Sequence, residues 1–306
     1  MLLVLTAVYW GVGLLQPELV PEYASSRREV TGMALLLITV PSYLVAAVMA
    51  AQNYTLRALD QIRPLLPDPS HATTAAESIA SGFHRSWLFG GAFGFVMGLA
   101  NVPTLFALSE SAMPAIDISM ALGQIGMWMI VGIVLTMRFH TARVVNDLGS
   151  KVRFKLFALE PLRPLARIGL ADVLVIAGAL VLMPLQALDA QFRIYNYTFG
   201  TSVGVMAGSV LLLWPLAALH RRIRDEKKNR LAALNQSDAQ LDVPKTAQDF
   251  ALLESLLSHR GRIRSHKTWL LDTGILSRVL FYLVIPPLAW VGAALVELML
   301  DRFFLS

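Results

Sequence analysis

The sequence predicts an all-α, polytopic helical transmembrane bundle of seven spans, or six spans plus a short N-terminal hydrophobic helix. A cytoplasmic antiparallel helical hairpin is expected between the last two spans. Three observations carry this reading. The 306-residue chain is 56% hydrophobic and 15% charged, whereas globular domains average about 25% charged. Several stretches reach the ~20 apolar residues that cross ~30 Å of hydrocarbon. Lysine and arginine fall almost entirely in alternate connecting segments, as the positive-inside rule requires of a membrane protein.

In chain order, Leu2–Leu15 is apolar but short, roughly 21 Å if helical. It lacks the charged n-region and small-residue cleavage site of a signal peptide. The second span is Thr31–Ala51 with Pro41 near its centre. Residues Asn53–Leu66 alternate apolar and charged positions like a surface helix. Pro67–Gly82, rich in Pro, Ser, Thr and Ala, reads as a loop. The third span, Trp87–Leu108, carries Gly90, Gly94 and Gly98, then Asn101 and Pro103. The fourth, Ile116–Phe139, holds Gln124, and Arg138, His140 and Arg143 mark its end. LEPLRPL is a bent interfacial connector into the fifth span, Ile168–Ala190, with Asp172 one turn in.

The sixth span, Thr198–Leu219, contains Gly200, Gly204 and Gly208 and continues without a break into HRRIRDEKKNRLAALNQ. Leu219, Ile223, Leu231 and Leu234 lie in one helical stripe, so this helix is expected to leave the bilayer and project into the cytosol. The chain then turns and returns over Thr246–Arg260, where Thr246 and Asp249 approximate a capping box and Gly261 is a C-terminal stop. Phe250, Leu253 and Leu257 give that helix an apolar face. The seventh span is Ile275–Leu300. The organisation is thus 1–219, six transmembrane helices with interfacial connectors; 220–268, the hairpin; and 269–306, an interfacial segment and the last span.

With even-numbered spans running inward, 22 of the 26 Lys and Arg residues lie in the inner segments and 4 in the outer ones. This places the N-terminus in the cytoplasm and the C-terminus outside, in a plasma or bacterial inner membrane. The net charge of +5 sits beside the spans, so the expected partner is anionic lipid rather than nucleic acid. Arg138, Arg143, Arg221, Arg222 and Arg224 form the headgroup belt.

Chemistry-bearing motifs are few. The chain has no cysteine, which excludes disulfides, thiolate nucleophiles and Cys-ligated metal sites. GTSVG at 200–204 matches G-x-S-x-G. However, all six histidines (71, 84, 140, 220, 259 and 266) fall in inner segments, out of reach of Ser202, and the nucleophile elbow needs a strand–turn–helix. No two histidines have metal-ligand spacing, and no residue set points to a cofactor. The every-fourth glycines, Gly90, Gly94 and Gly98 and again Gly200, Gly204 and Gly208, are expected at close helix–helix contacts, within one chain or between copies in a homo-oligomer. Asn101, Gln124 and Glu297 agree in depth and predict a polar pocket in the outer half of the bundle.

Two function classes follow. A channel or transporter is favoured by the prolines, the glycine rows and the outward polar cluster. Its weakness is the scarcity of deeply buried charge. The other is a membrane scaffold or signalling subunit that binds a cytoplasmic protein through the hairpin. A membrane enzyme lacks any catalytic set.

Overall fold

A computed structural model of the chain describes residues 1–12, 15, 27–100, 114–183, 185, 194–240, 247–265, 277 and 281. It contains α1 (Leu2–Gly11), α2 (Arg27–Ile62), α3 (Ser70–Ala100), α4 (Pro114–Lys151), α5 (Arg163–Leu182), α6 (Ile194–Gln240) and α7 (Ala247–Ser265). Short 3₁₀ turns at Arg63–Leu65 and Glu160–Leu162 close the connections into α3 and α5. Among the described residues there is no strand; a lone backbone bridge joins Lys155 to Ala158.

Four described helical stretches are long and apolar enough to cross a membrane: Gly32–Leu65, Ile118–Lys151, Glu160–Leu182 and Gly200–Gln236. They mark the chain as an integral membrane protein and correspond to the second, fourth, fifth and sixth sequence spans. The first span is the ten-residue α1. The third coincides with the C-terminal half of α3 and then enters residues outside the described set, where all of the seventh but Ser277 and Phe281 also lies.

The bundle core is made by α2, α4, α5 and α6, with α3 laid along α4. Inside it, hydroxyls fold back onto their own helices where water is absent. Thr39 donates to Leu35 O, Ser42 to Ile38 O, Thr136 to Gly132 O and Thr141 to Met137 O. Large apolar side chains such as Leu88, Phe89, Phe93, Val96 and Leu122 point outward, as a lipid-facing surface requires. Tyr9 fixes α1 to the bundle: its ring is buried over Gly123, where a Cβ would strike the tyrosine hydroxyl.

Several helices are longer than a bilayer needs. The 47 residues of α6 span about 70 Å at 1.5 Å per residue, against ~30 Å of hydrocarbon. Its continuity through Pro215 is supported from both sides. The Asn146 amide oxygen accepts the Ala218 N–H at 2.8 Å. The Leu211 carbonyl, which Pro215 deprives of its N–H donor, lies against Gly169, where a Cβ would sit 3.1 Å from it.

The extensions share one end and build a second core beneath the bundle. Leu59 and Ile62 from α2, Ala72, Ala75 and Ile79 from α3, Val145 and Leu148 from α4, and Ile223 from α6 are all buried there. Arg153 N donates to Leu65 O at 2.8 Å, tying two connectors together.

This corrects two expectations. Asn53–Leu66 is mostly the continuation of α2, with one face buried and the other exposed, not a separate helix, and Pro67–Gly82 is largely the first three turns of α3, not a loop. Asp68 starts that helix, accepting the Ser70 N–H at 2.9 Å. Bonds from the Ser70 side chain and backbone hold its carboxyl below the ordinary carboxylate value. The proline-rich composition obscured an apolar stripe at 72, 75 and 79. Gly261 is a further correction: α7 runs through it to Ser265. Burial of Ile263 just beyond offsets the ~1 kcal/mol that a helical glycine costs.

Candidate functional site

Three polar side chains are buried together where α2, α4 and α5 pack within the apolar core. Arg138 on α4 is 1% exposed, Asp172 on α5 1% and Thr55 on α2 0%. Arg138 Nε donates to Asp172 Oδ1 at 2.5 Å, and Nη2 reaches the same oxygen. Nη2 also donates to Thr55 Oγ1 at 3.3 Å, and Thr55 donates onward to Ala51 O at 2.9 Å. Two polar atoms of the pair, Arg138 Nη1 and Asp172 Oδ2, are buried with no hydrogen-bond partner among the described residues.

The sequence makes this possible locally. Arg138 is the first charge after the apolar run of α4, and Asp172 is the only acid inside α5. Arg138 ends its span and Asp172 lies one turn into its own, and the antiparallel course of α4 and α5 brings them to one level. A guanidinium beside a carboxylate replaces some of the hydration that each loses. Even so, an intramembrane ion pair is costly and normally marks function.

On the side of this layer away from the helix extensions lies a crevice between α2, α4, α5 and α6, with a cavity of about 60 Å³. Val40, Leu44, Val131, Leu180 and Met183 are among its walls, and its floor, at Val134, Leu135 and Ile176, is one helical turn from the ion pair. Its lining is apolar throughout.

A second cleft runs between the N-terminal half of α3 and the C-terminal half of α4. Its volume is about 780 Å³, and it is open to solvent. Arg85, Arg143, Lys151, His71 and His140 line it together with Asp147, which Lys151 Nζ contacts at 2.9 Å. His140 is wedged into the notch left by Gly82 and donates from Nε2 to Ser78 O at 3.0 Å.

The belt arginines take four different environments. Arg138 is not a headgroup contact: it turns inward because Asp172 and Thr55 offer partners that lipid does not. Arg143 faces the α3–α4 cleft. Arg222 donates to Val152 O at 2.7 Å and lies 5.3 Å over the Phe154 ring. Arg221 and Arg224 are exposed.

A Cβ at Gly90 would be 2.6 Å from Gly132 O on α4, and one at Gly98 would be 2.8 Å from Ile125 Cα. At Gly94 it would collide with Trp128 O. In the second row, Gly200 and Gly204 meet the side chains of Met183 and Leu180 on α5, and Gly208 is buried.

Of the three pocket residues, Gln124 is half-buried on α4, while Asn101 and Glu297 lie outside the described residues. Among the described residues no group of His, Asp and Glu could hold a metal ion. In the sequence pattern Arg138 belongs with the belt arginines, and only its common depth with Asp172 signals the Arg138–Asp172–Thr55 layer. No protein-family model, curated protein or solved structure matches this chain.

Proposed function

We propose that the protein is a channel- or transporter-like membrane protein in which the Arg138–Asp172–Thr55 layer closes the inner end of a pathway through the four-helix core. The observation that carries this reading is the buried ion pair with one unpartnered atom on each side. The sequence alone offered no deeply buried charge. A charge pair shut inside a bundle is the kind of element that ion and proton pathways contain. Asp172 can exchange Arg138 for an entering proton or cation only if the two separate, so the closed pair acts as a gate. The apolar crevice above it would form the middle of the path, and Asn101, Gln124 and Glu297 a polar entrance at the outer end.

The glycine rows fit this scheme as packing devices. Backbone contact at Gly90, Gly94 and Gly98 would hold α3 against α4 while the core helices move. The exposed Arg221 and Arg224 would anchor the inner side to anionic headgroups.

Flux into proteoliposomes tests the proposal. An entrapped pH indicator, and in parallel a sodium or potassium indicator, should report uptake under an imposed potential with protein present and none in empty vesicles. Silence in every channel would remove the reading. Its orientation is tested separately: a reporter active only outside the cytoplasm should work after Ser306 and fail when inserted at 236–242. The reverse pattern would overturn the charge count and place the ion pair at the outer mouth.

The scaffold reading is favoured by one observation. On α7, Ile263 is buried and Lys227 of α6 donates to Arg264 O at 2.8 Å, yet Leu257 stays 53% exposed. A cytoplasmic hairpin formed by α6 and α7 would therefore retain apolar surface for a partner protein.

A further inference from the structure

We infer that the cleft between the N-terminal half of α3 and the C-terminal half of α4 binds a phosphate-bearing anion, independently of any transport through the bundle. The two helices run antiparallel, with Gly90 beside Gly132 and Gly82 beside His140. The cleft runs along this seam from Arg85 toward Ser70, floored by Ala75, Val144 and Leu148. Its charged lining is Arg85, Arg143 and Lys151 against Asp147 alone, three positive groups to one negative, a net of +2 before the two imidazoles are counted.

These cations are not equivalent. Lys151 is already engaged by Asp147 at 2.9 Å. Arg85 and Arg143 are exposed and make no ion pair with a carboxylate among the described residues. Other basic groups are held differently: Arg163 and Arg230 pair with Glu160 and Glu226 within one turn, and Arg222 is tied to Val152 O. Two guanidiniums left open on facing walls of one cleft are a fork suited to phosphate oxygens. With α3 and α4 in this register, Arg85 lies on the membrane side of Arg143, and Lys151 and His71 lie farther out. The site thus grades from the headgroup level into the aqueous phase. The same chemistry would accept a lipid phosphomonoester entering from the bilayer or a soluble oligophosphate entering from the cytosol.

The full chain, held in nanodiscs of zwitterionic lipid, is titrated with inorganic tripolyphosphate by calorimetry. In parallel, nanodiscs doped with phosphatidic acid are used to count the lipid retained on the protein by native mass spectrometry. Arg85→Gln and Arg143→Gln should each weaken whichever anion binds by roughly tenfold or more, as loss of a charge-assisted hydrogen bond does. Arg143→Lys should recover part of the loss, and Arg57→Gln on the exposed face of α2 should change nothing. Binding of tripolyphosphate identifies the soluble source, and retention of phosphatidic acid alone identifies the lipid. Both side chains are exposed, so the Gln variants should keep the wild-type elution volume and melting temperature. Binding of neither anion, or equal losses in Arg57→Gln and the cleft variants, overturns the inference.

Discussion

Asp172→Ala should be the most damaging single substitution in the described bundle. It leaves the Arg138 guanidinium buried without a counter-charge, and breaking a buried pair in this way costs about 3–5 kcal/mol. Arg138→Ala should do the same from the other side, stranding a carboxylate on α5. Thr55→Ala should cost less, since its bond to Arg138 is the long one at 3.3 Å. The informative control removes both charges: Arg138→Met with Asp172→Leu. Replacing a buried pair by apolar groups of similar volume is often neutral or stabilising, so the double variant should melt near or above the wild type in detergent. Thermal unfolding followed by circular dichroism gives this comparison directly. A single Asp172→Ala that melts like the wild type would mean that the pair is hydrated and the inner mouth open.

Gly94→Leu comes next. At this position even a Cβ would strike the Trp128 carbonyl, and its second neighbour is Met129 Cα at 2.6 Å. Backbone cannot rotate out of the way, so α3 must leave α4 or tilt. Overpacking ordinarily costs about 1–3 kcal/mol, and Gly94→Leu should reach or exceed the top of that range. Gly204→Leu should be milder, because its nearest obstacle is the Leu180 Cδ2 methyl at 2.9 Å, which can change rotamer. Gly126→Ala meets nothing within 4 Å; it should be neutral or gain up to ~1 kcal/mol of helix propensity. The order Gly94→Leu worst, Gly204→Leu intermediate and Gly126→Ala harmless is read from melting temperatures and gel filtration. Equal melting of all three would place the glycine rows against lipid.

What was legible in the sequence is what local pattern encodes. The apolar runs at 31–51, 116–139 and 168–190 announce their helices by length alone. The stripe of Leu219, Ile223, Leu231 and Leu234 carries α6 past the membrane, and in the structure the first two are buried and the others half-buried against the core. The inner core was harder to see. Ala72, Ala75 and Ile79 are small or few, and Pro67 and Pro69 beside them mask a helix that starts at Ser70. The ion pair was not legible as a pair because its members are 34 residues apart and no periodicity links them. An arginine ending one span and an aspartate opening the next are each ordinary, and only their common depth connects them. The cleft depends likewise on the register of α3 against α4, which the glycine spacing suggests but does not fix.

The proposed gate is tested most directly by proton and cation flux through the charge-free double variant, Arg138→Met with Asp172→Leu, in proteoliposomes. This variant separates folding from function, since it should keep the stability of the bundle while removing the charges at the inner mouth. Flux in the wild type that disappears in a double variant of normal melting temperature is the result predicted here. Wild-type flux that persists unchanged in that variant would show that the Arg138–Asp172 pair only fastens helices together, and that any pathway runs elsewhere.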